Sequence, residues 1–176
     1  MHIFLQGPRN IGKSTVIRKT LAILTSQKPL AIGGFFTWNC GEAGKAVYLQ
    51  SAKNGGEGEV YRIASQDKEK GGLLCDIEVF ERDGVRLLIE SKDADLVIMD
   101  ELGFLESDAS NFRQAVLDLI AGDIPVYGVL RLGDVPWHAE IKRNPRIALY
   151  DVNEENRDAL PKKLADALNS CFIEPS

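Results

Sequence analysis

Residues 3–15 leave this chain few folds to choose from. Ile3-Phe4-Leu5 reads as a short buried strand ahead of Gln6, and Val16, Ile17, Leu21 and Leu24 recur with the period of a helix. Between them stands Gly7-Pro8-Arg9-Asn10-Ile11-Gly12-Lys13-Ser14-Thr15, which fits the pattern G-x-x-x-x-G-K-[ST]. With Gly at roughly 7% of residues, those four fixed positions coincide by accident in fewer than about one chain per hundred of this length. The chemistry accounts for the residue types. A polyphosphate is held by successive backbone N–H groups and a helix N-terminus, and side chains at Gly7 and Gly12 would keep the backbone away. Asn10 stands where many such loops carry a further glycine, and Asn is among the residues that best tolerate positive φ. Residues 7–15 are therefore assigned to nucleotide binding, with Lys13 reaching the β- and γ-phosphates and the Ser14 hydroxyl on Mg²⁺.

A second acidic signature follows. Leu96-Val97-Ile98-Met99 is a continuous apolar run closed by Asp100 and Glu101, as expected of a parallel strand buried on both faces. Asp100 at its carboxyl end would lie beside the phosphate loop and serve Mg²⁺, and Glu101 would orient and deprotonate a water attacking the γ-phosphate.

The remaining pattern alternates strand and helix. Strands are expected at 31–37, 45–51, 59–64, 125–130 and 146–150, with a short one at 74–80. Helices are expected at 85–91, 111–121 (capped by Ser107 and Asp108), 139–143 and from 153 to about 171. The turn signal at 53–58 makes 45–64 an antiparallel excursion, and 65–72 reads as a mobile surface loop. The expected fold is an α/β three-layer P-loop NTPase fold, its sheet mostly parallel with an antiparallel β extension. It forms one domain over 1–176, with a β-rich insertion at about 38–65.

Composition sets outer limits. The chain has 176 residues, 44% of them hydrophobic and 27% charged, enough for a full core. A net charge of −5 argues against a broad nucleic-acid surface. No apolar run approaches a membrane span and no signal peptide precedes the first strand, so a cytoplasmic protein with no membrane partner is expected. Cys40, Cys75 and Cys171 are widely spaced and suggest neither disulfides nor zinc.

Several stretches together resemble the cancer-related nucleoside-triphosphatase family. They are residues 7–15, Gly34-Phe35-Phe36-Thr37, Met99-Asp100-Glu101-Leu102-Gly103-Phe104-Leu105-Glu106, residues 112–116, and Glu155-Asn156-Arg157-Asp158-Ala159-Leu160. The resemblance implies Mg²⁺-dependent hydrolysis of nucleoside triphosphates (ATP, GTP or others), broad in base, on a RecA-like core. It places Glu101 at the family's candidate catalytic glutamate, and Lys13 and Ser14 at its phosphate and metal positions. The sequence departs from the family at Asn39 and Gly41, which stand where a Glu and an Arg are usual, and the loop 38–44 is expected to differ in shape.

Five further residues have two readings each. Arg131, ending the 125–130 strand, is either a polar sensor of the γ-phosphate or a solvated strand-end arginine. Arg157 either contacts the base or caps a helix. Trp137-His138 and Trp38 fit packing better than chemistry. Two other functions compete with hydrolysis: a kinase acting on a nucleotide or other small molecule, for which residues 53–72 could close over a substrate, and a nucleotide-switched binding protein. The adjacent Asp100-Glu101 favours hydrolysis, because a kinase does not need a water-activating glutamate.

Overall fold

The computed structural model describes residues 1–40 and 46–172. Its strands are β1 (His2–Gln6), β2 (Ile32–Cys40), β3 (Ala46–Ser51), β4 (Val60–Gln66), β5 (Leu73–Cys75), β6 (Leu96–Leu102), β7 (Val126–Leu130) and β8 (Ile147–Asp151). They form one sheet in the order β5-β4-β3-β2-β6-β7-β1-β8. From β2 to β8 every pairing is parallel, and β3, β4 and β5 add an antiparallel extension beyond β2. The expected three-layer architecture and its mixed sheet are what the chain forms, with the short helix α5 (His138–Arg143) between β7 and β8. The loop-bearing strand β1 and the acidic strand β6 are separated by β7.

Side-chain alternation sets the layers. Ile3 and Leu5 of β1, with Leu96 and Ile98 of β6, face a core shared with helices α1 (Lys13–Gln27) and α6 (Leu160–Asn169). Phe4, Val97 and Met99 face the opposite core, beneath α3 (Val85–Ile89) and α4 (Ser110–Ala121). With both faces covered, these strands must be apolar throughout. The same period carries Asp100 to the α1 side of the sheet, where Ser14 waits.

Four local expectations give way. The strand expected at 74–80 ends at Cys75, because the Asp76 carboxylate accepts the Val79 N–H and starts α2 (Ile77–Val79), which runs through a π turn (Phe80–Gly84) into α3. Ser107 and Asp108 do not cap α4: the Ala109 side of its first turn instead receives Glu81, whose carboxylate accepts the Asn111 N–H at 3.0 Å. The surface loop expected over 65–72 shortens to 67–72, because Ser65 and Gln66 extend β4; it closes the β4–β5 hairpin, where Asp67 accepts the Glu69 and Lys70 N–H groups. Asn153 likewise accepts the Glu155 and Asn156 N–H groups, so residues 154–159 are turns and α6 begins only at Leu160. Lys45, expected to open β3, lies outside the described residues.

Candidate functional site

The site forms where β1, β6 and β7 end on the same side of the sheet. Leaving β1, the chain turns at Gly7 (φ 153), where a Cβ would come within 2.6 Å of the Val152 carbonyl oxygen; only glycine lets the loop pass β8 so closely. Asn10 takes φ 63, the left-handed conformation expected of it. Gly12 then begins α1, with no side chain capping the helix's first N–H groups. Gly12, Lys13, Ser14 and Thr15 border a cavity of about 690 Å³, so the positive end of α1 opens into it.

Lys13 folds back over its own loop, and its Nζ donates to the Gly7 and Pro8 carbonyl oxygens at 2.9 and 2.8 Å. Burial draws its pKa below the ordinary lysine value, against the pull of Glu101 and Asp100. Across the cleft the Ser14 hydroxyl donates to Asp100 Oδ1 at 3.1 Å. Asp100 is 1% exposed, and its Oδ2 is buried with no hydrogen-bond partner. Burial pushes this carboxyl up to about 7, although the Ser14 hydrogen bond works the other way. An unpartnered buried carboxylate oxygen beside a serine hydroxyl is the hard-oxygen donor set that a magnesium ion and its waters suit.

Glu101 still lies within β6 rather than in a loop, but the register against β7 shifts between Met99 and Leu102. Its half-buried carboxylate meets Arg131 Nη1 at 3.4 Å and lines the cavity with it. The Arg131 guanidinium also lies 4.5 Å from the centre of the Phe104 ring.

Gly7, Arg9, Asn10, Gly12, Lys13, Ser14, Thr15, Glu101 and Arg131 thus share one cavity. Pro8 contributes its carbonyl to Lys13, and Ile11 packs beneath Gly7. Arg157 stands apart on the outer side of the loop, exposed, its Nη1 donating to the Ile11 carbonyl at 3.5 Å. Trp38 stacks on Tyr48 at 4.5 Å and takes no part in the site. Asn39 and Thr37, its neighbours on β2, line the cavity from the far side. Gly41 lies outside the described residues.

Two residues matter more here than their sequence context suggested. Glu106 is 3% exposed and its carboxylate accepts the Gly103 N–H; Trp137 is buried and its Nε1 donates to the Gly103 carbonyl at 3.0 Å. A Glu three residues after a strand-end Gly was the available signal for the first. His138 is buried with neither ring nitrogen partnered, which fits packing.

Comparison with known proteins shows the family and the fold. A family model described as NTPase matches residues 2–165. Nucleoside-triphosphatase THEP1 of Methanosarcina barkeri is 31% identical over 169 residues, covering 94% of this chain and 96% of that protein. The mouse cancer-related nucleoside-triphosphatase homolog is 25% identical over 179 residues, covering 90% and 92%. The crystal structure of THEP1 from Aquifex aeolicus superposes with a TM-score of 0.80 at 23% identity, over 96% of this chain and 99% of that one, and so shares the fold.

Proposed function

The chain belongs to the NTPase family, and on that premise we propose a magnesium-dependent hydrolysis of nucleoside triphosphates to diphosphate and inorganic phosphate, broad in base. The observation that carries it is the meeting, in one cavity, of the uncapped start of α1, Lys13 and the strand-end carboxylate Glu101.

The geometry supports the following roles. Backbone N–H groups of residues 9–15 would receive the phosphate oxygens, and Lys13 exchanges its carbonyl acceptors for the β- and γ-oxygens. Ser14 and Asp100 would hold Mg²⁺, which when bound supplies charge neutralisation on the β- and γ-phosphates. Glu101 accepts a proton from the attacking water as the new P–O bond forms and the β–γ bridge breaks. Arg131 is held by a half-exposed ion pair worth about 0–1 kcal/mol. A γ-phosphate, with its larger charge, can therefore draw the guanidinium over. Arg157, beside Gly12 at the outer rim, would contact the nucleoside, and a lone exposed arginine there suits loose base preference. A cytoplasmic location with no membrane or nucleic-acid partner belongs to the same proposal; no helix among the described residues is long and apolar enough to cross a membrane.

One observation favours transfer to a small acceptor as a second reading: the cavity continues beyond Glu101 past Thr37, Val47 and Ile63 toward Phe80. Turnover of γ-labelled ATP and GTP separates the two. Hydrolysis releases all label as free phosphate, stops on chelation of divalent ions, and in Glu101→Gln falls by about 10²–10⁴ in kcat while nucleotide still binds. Label recovered on an organic acceptor, or a Glu101→Gln variant turning over at the parent rate, overturns the hydrolase reading.

A further inference from the structure

The loop that leaves β6 is braced more heavily than a surface connection requires. Gly103 has both backbone polar groups held by buried side chains, its N–H by the Glu106 carboxylate and its carbonyl by the Trp137 indole at 3.0 Å. One residue before Glu106, the Leu105 carbonyl accepts the Cys75 thiol at 2.9 Å, which ties the loop to the edge of the antiparallel extension. Burial pushes the Glu106 carboxyl up to about 7, so keeping it here costs folding free energy that an apolar residue would not.

What Gly103 supports lies directly against it. A Cβ added there would stand 3.1 Å from Arg131 Cδ, so the arginine's arm crosses the glycine with no room to spare. The Arg131 backbone N–H donates to the Leu102 carbonyl at 2.9 Å, and its guanidinium ends between the Phe104 ring and Glu101 Oε1. Gly103 is the floor of a slot, Phe104 its wall, and Glu101 its far end.

We propose that Glu106 is a positioning residue for the hydrolytic site: by fixing Gly103 together with Trp137, it sets the slot of Arg131 and, through Arg131, the placement of Glu101. It borders the same cavity, but its carboxylate is engaged by the Gly103 N–H, and it acts through Arg131 rather than on the phosphate. The role rests on the hydrolase reading above, because what it positions are that reading's base and γ-phosphate contact. Displacing a catalytic group by about 1 Å from a distance can cost on the order of 10²-fold in rate.

The test measures kcat for ATP hydrolysis and the Kd of ATP with Mg²⁺, alongside thermal unfolding, in Glu106→Ala, Glu106→Gln and Trp137→Phe. Glu106→Ala lowers kcat about tenfold or more and moves Kd less than about twofold, since the P-loop is untouched. Glu106→Gln recovers most of the loss, because an amide oxygen also accepts the Gly103 N–H. Trp137→Phe, which keeps the ring but drops the indole donor, lowers kcat several-fold, and it reads the brace even where Glu106→Ala fails to fold. In an Arg131→Ala background the further loss from Glu106→Ala shrinks to less than about twofold, as expected of a residue acting through another. Parent kcat in both Glu106→Ala and Trp137→Phe, a Gln variant no better than Ala, or losses that multiply with Arg131→Ala each overturn the proposal. A parallel Glu101→Gln arm keeps the two readings apart. If Glu101→Gln is inert and the Glu106 variants are normal, only the positioning role fails; if Glu101→Gln turns over normally, the base assignment fails, and the Arg131 cycle still reports on Glu106.

Discussion

The sheet has two halves built on different terms. From β2 to β8 the strands run parallel under helices on both faces; all five residues of β7 and the first five of β6 are buried. In the antiparallel extension β3 alternates half-buried and buried residues along its length, and β4 and β5 bury little more than Ile63 and Ala64. Tyr61, Cys75, Ile77 and Val79 pack against the core from this side, so only one face is covered. The difference has a functional consequence. Parallel strands ending at one edge of a doubly covered sheet deliver Lys13, Asp100, Glu101 and Arg131 to one place. The extension has no such edge, and it contributes wall, through Val47 and Ile63, to a cavity whose proposed chemistry comes from the other half.

The largest test of that division is Lys13→Ala. Transition-state charge on the β- and γ-oxygens loses its main side-chain cation, and kcat/KM should fall by about 10³-fold or more. Stability should barely move: two hydrogen bonds to the Gly7 and Pro8 carbonyls are lost, but so is an ammonium that burial already disfavours. Steady-state kinetics beside a urea melt reads both. Nucleotide affinity and turnover like the parent's would remove the parallel half's claim to the chemistry.

The seam between the halves comes next. Gly34 lies on β2, which pairs with β6 on one side and β3 on the other, and it takes φ 86. A Cβ there would stand 1.9 Å from the Ile98 carbonyl oxygen, a backbone atom that cannot move without breaking the ladder. Gly34→Ala should cost above about 4 kcal/mol and leave little folded protein, as judged by circular dichroism and thermal unfolding. A variant melting within a few degrees of the parent would mean the two halves do not depend on this seam.

How legible these parts are in the sequence follows the same division. Lys13 and Ser14 sit in one contiguous stretch with the loop they belong to, and β1, β6 and β7 announce themselves as unbroken apolar runs because both their faces are covered. The brace around Gly103 is far less visible, since Trp137 comes from a distant loop and only the fold brings its indole to the Gly103 carbonyl. The true cap of α4 was hidden for the same reason: Glu81 arrives from the π turn, whereas Ser107 and Asp108 are merely adjacent in sequence. The late start of α6 was readable. Asn153 is a turn-forming residue, and Pro161 stands in the helix's first turn, where proline is most at home.

The chain's two histidines, His2 and His138, both belong to the parallel half, and burial lowers each to about 4. A histidine whose folded pKa lies below its ordinary 6.5 contributes stability that is fully present above that value and is lost as pH falls toward 4. Asp100 and Glu106, both raised to about 7, act in the opposite sense over the same range, so the parent's own profile mixes the two. The difference between His138→Leu and the parent isolates the imidazole. Between pH 7.5 and 4 the variant should gain about 3 kcal/mol relative to the parent in urea unfolding. An unchanged difference across that range would show that His138 does not titrate with folding.

The smallest expected effect bears most directly on the extension. Trp38 and Tyr48 are cross-strand partners on β2 and β3, stacked with ring centres 4.5 Å apart and planes 15° apart, and Trp38 is 36% exposed. Successive side chains on a strand point to opposite faces, so with Thr37 and Asn39 toward the cavity, Trp38 faces away from it. Trp38→Ala therefore removes an exposed aromatic pair worth about 1 kcal/mol or less and nothing that reaches the phosphates. Unfolding should shift by that amount while kcat and KM for ATP stay within about twofold. A stability loss alone places the extension as wall. A tenfold loss of kcat would instead mean that this strand's packing governs the reacting groups, and that the boundary between the two halves does not separate structure from chemistry.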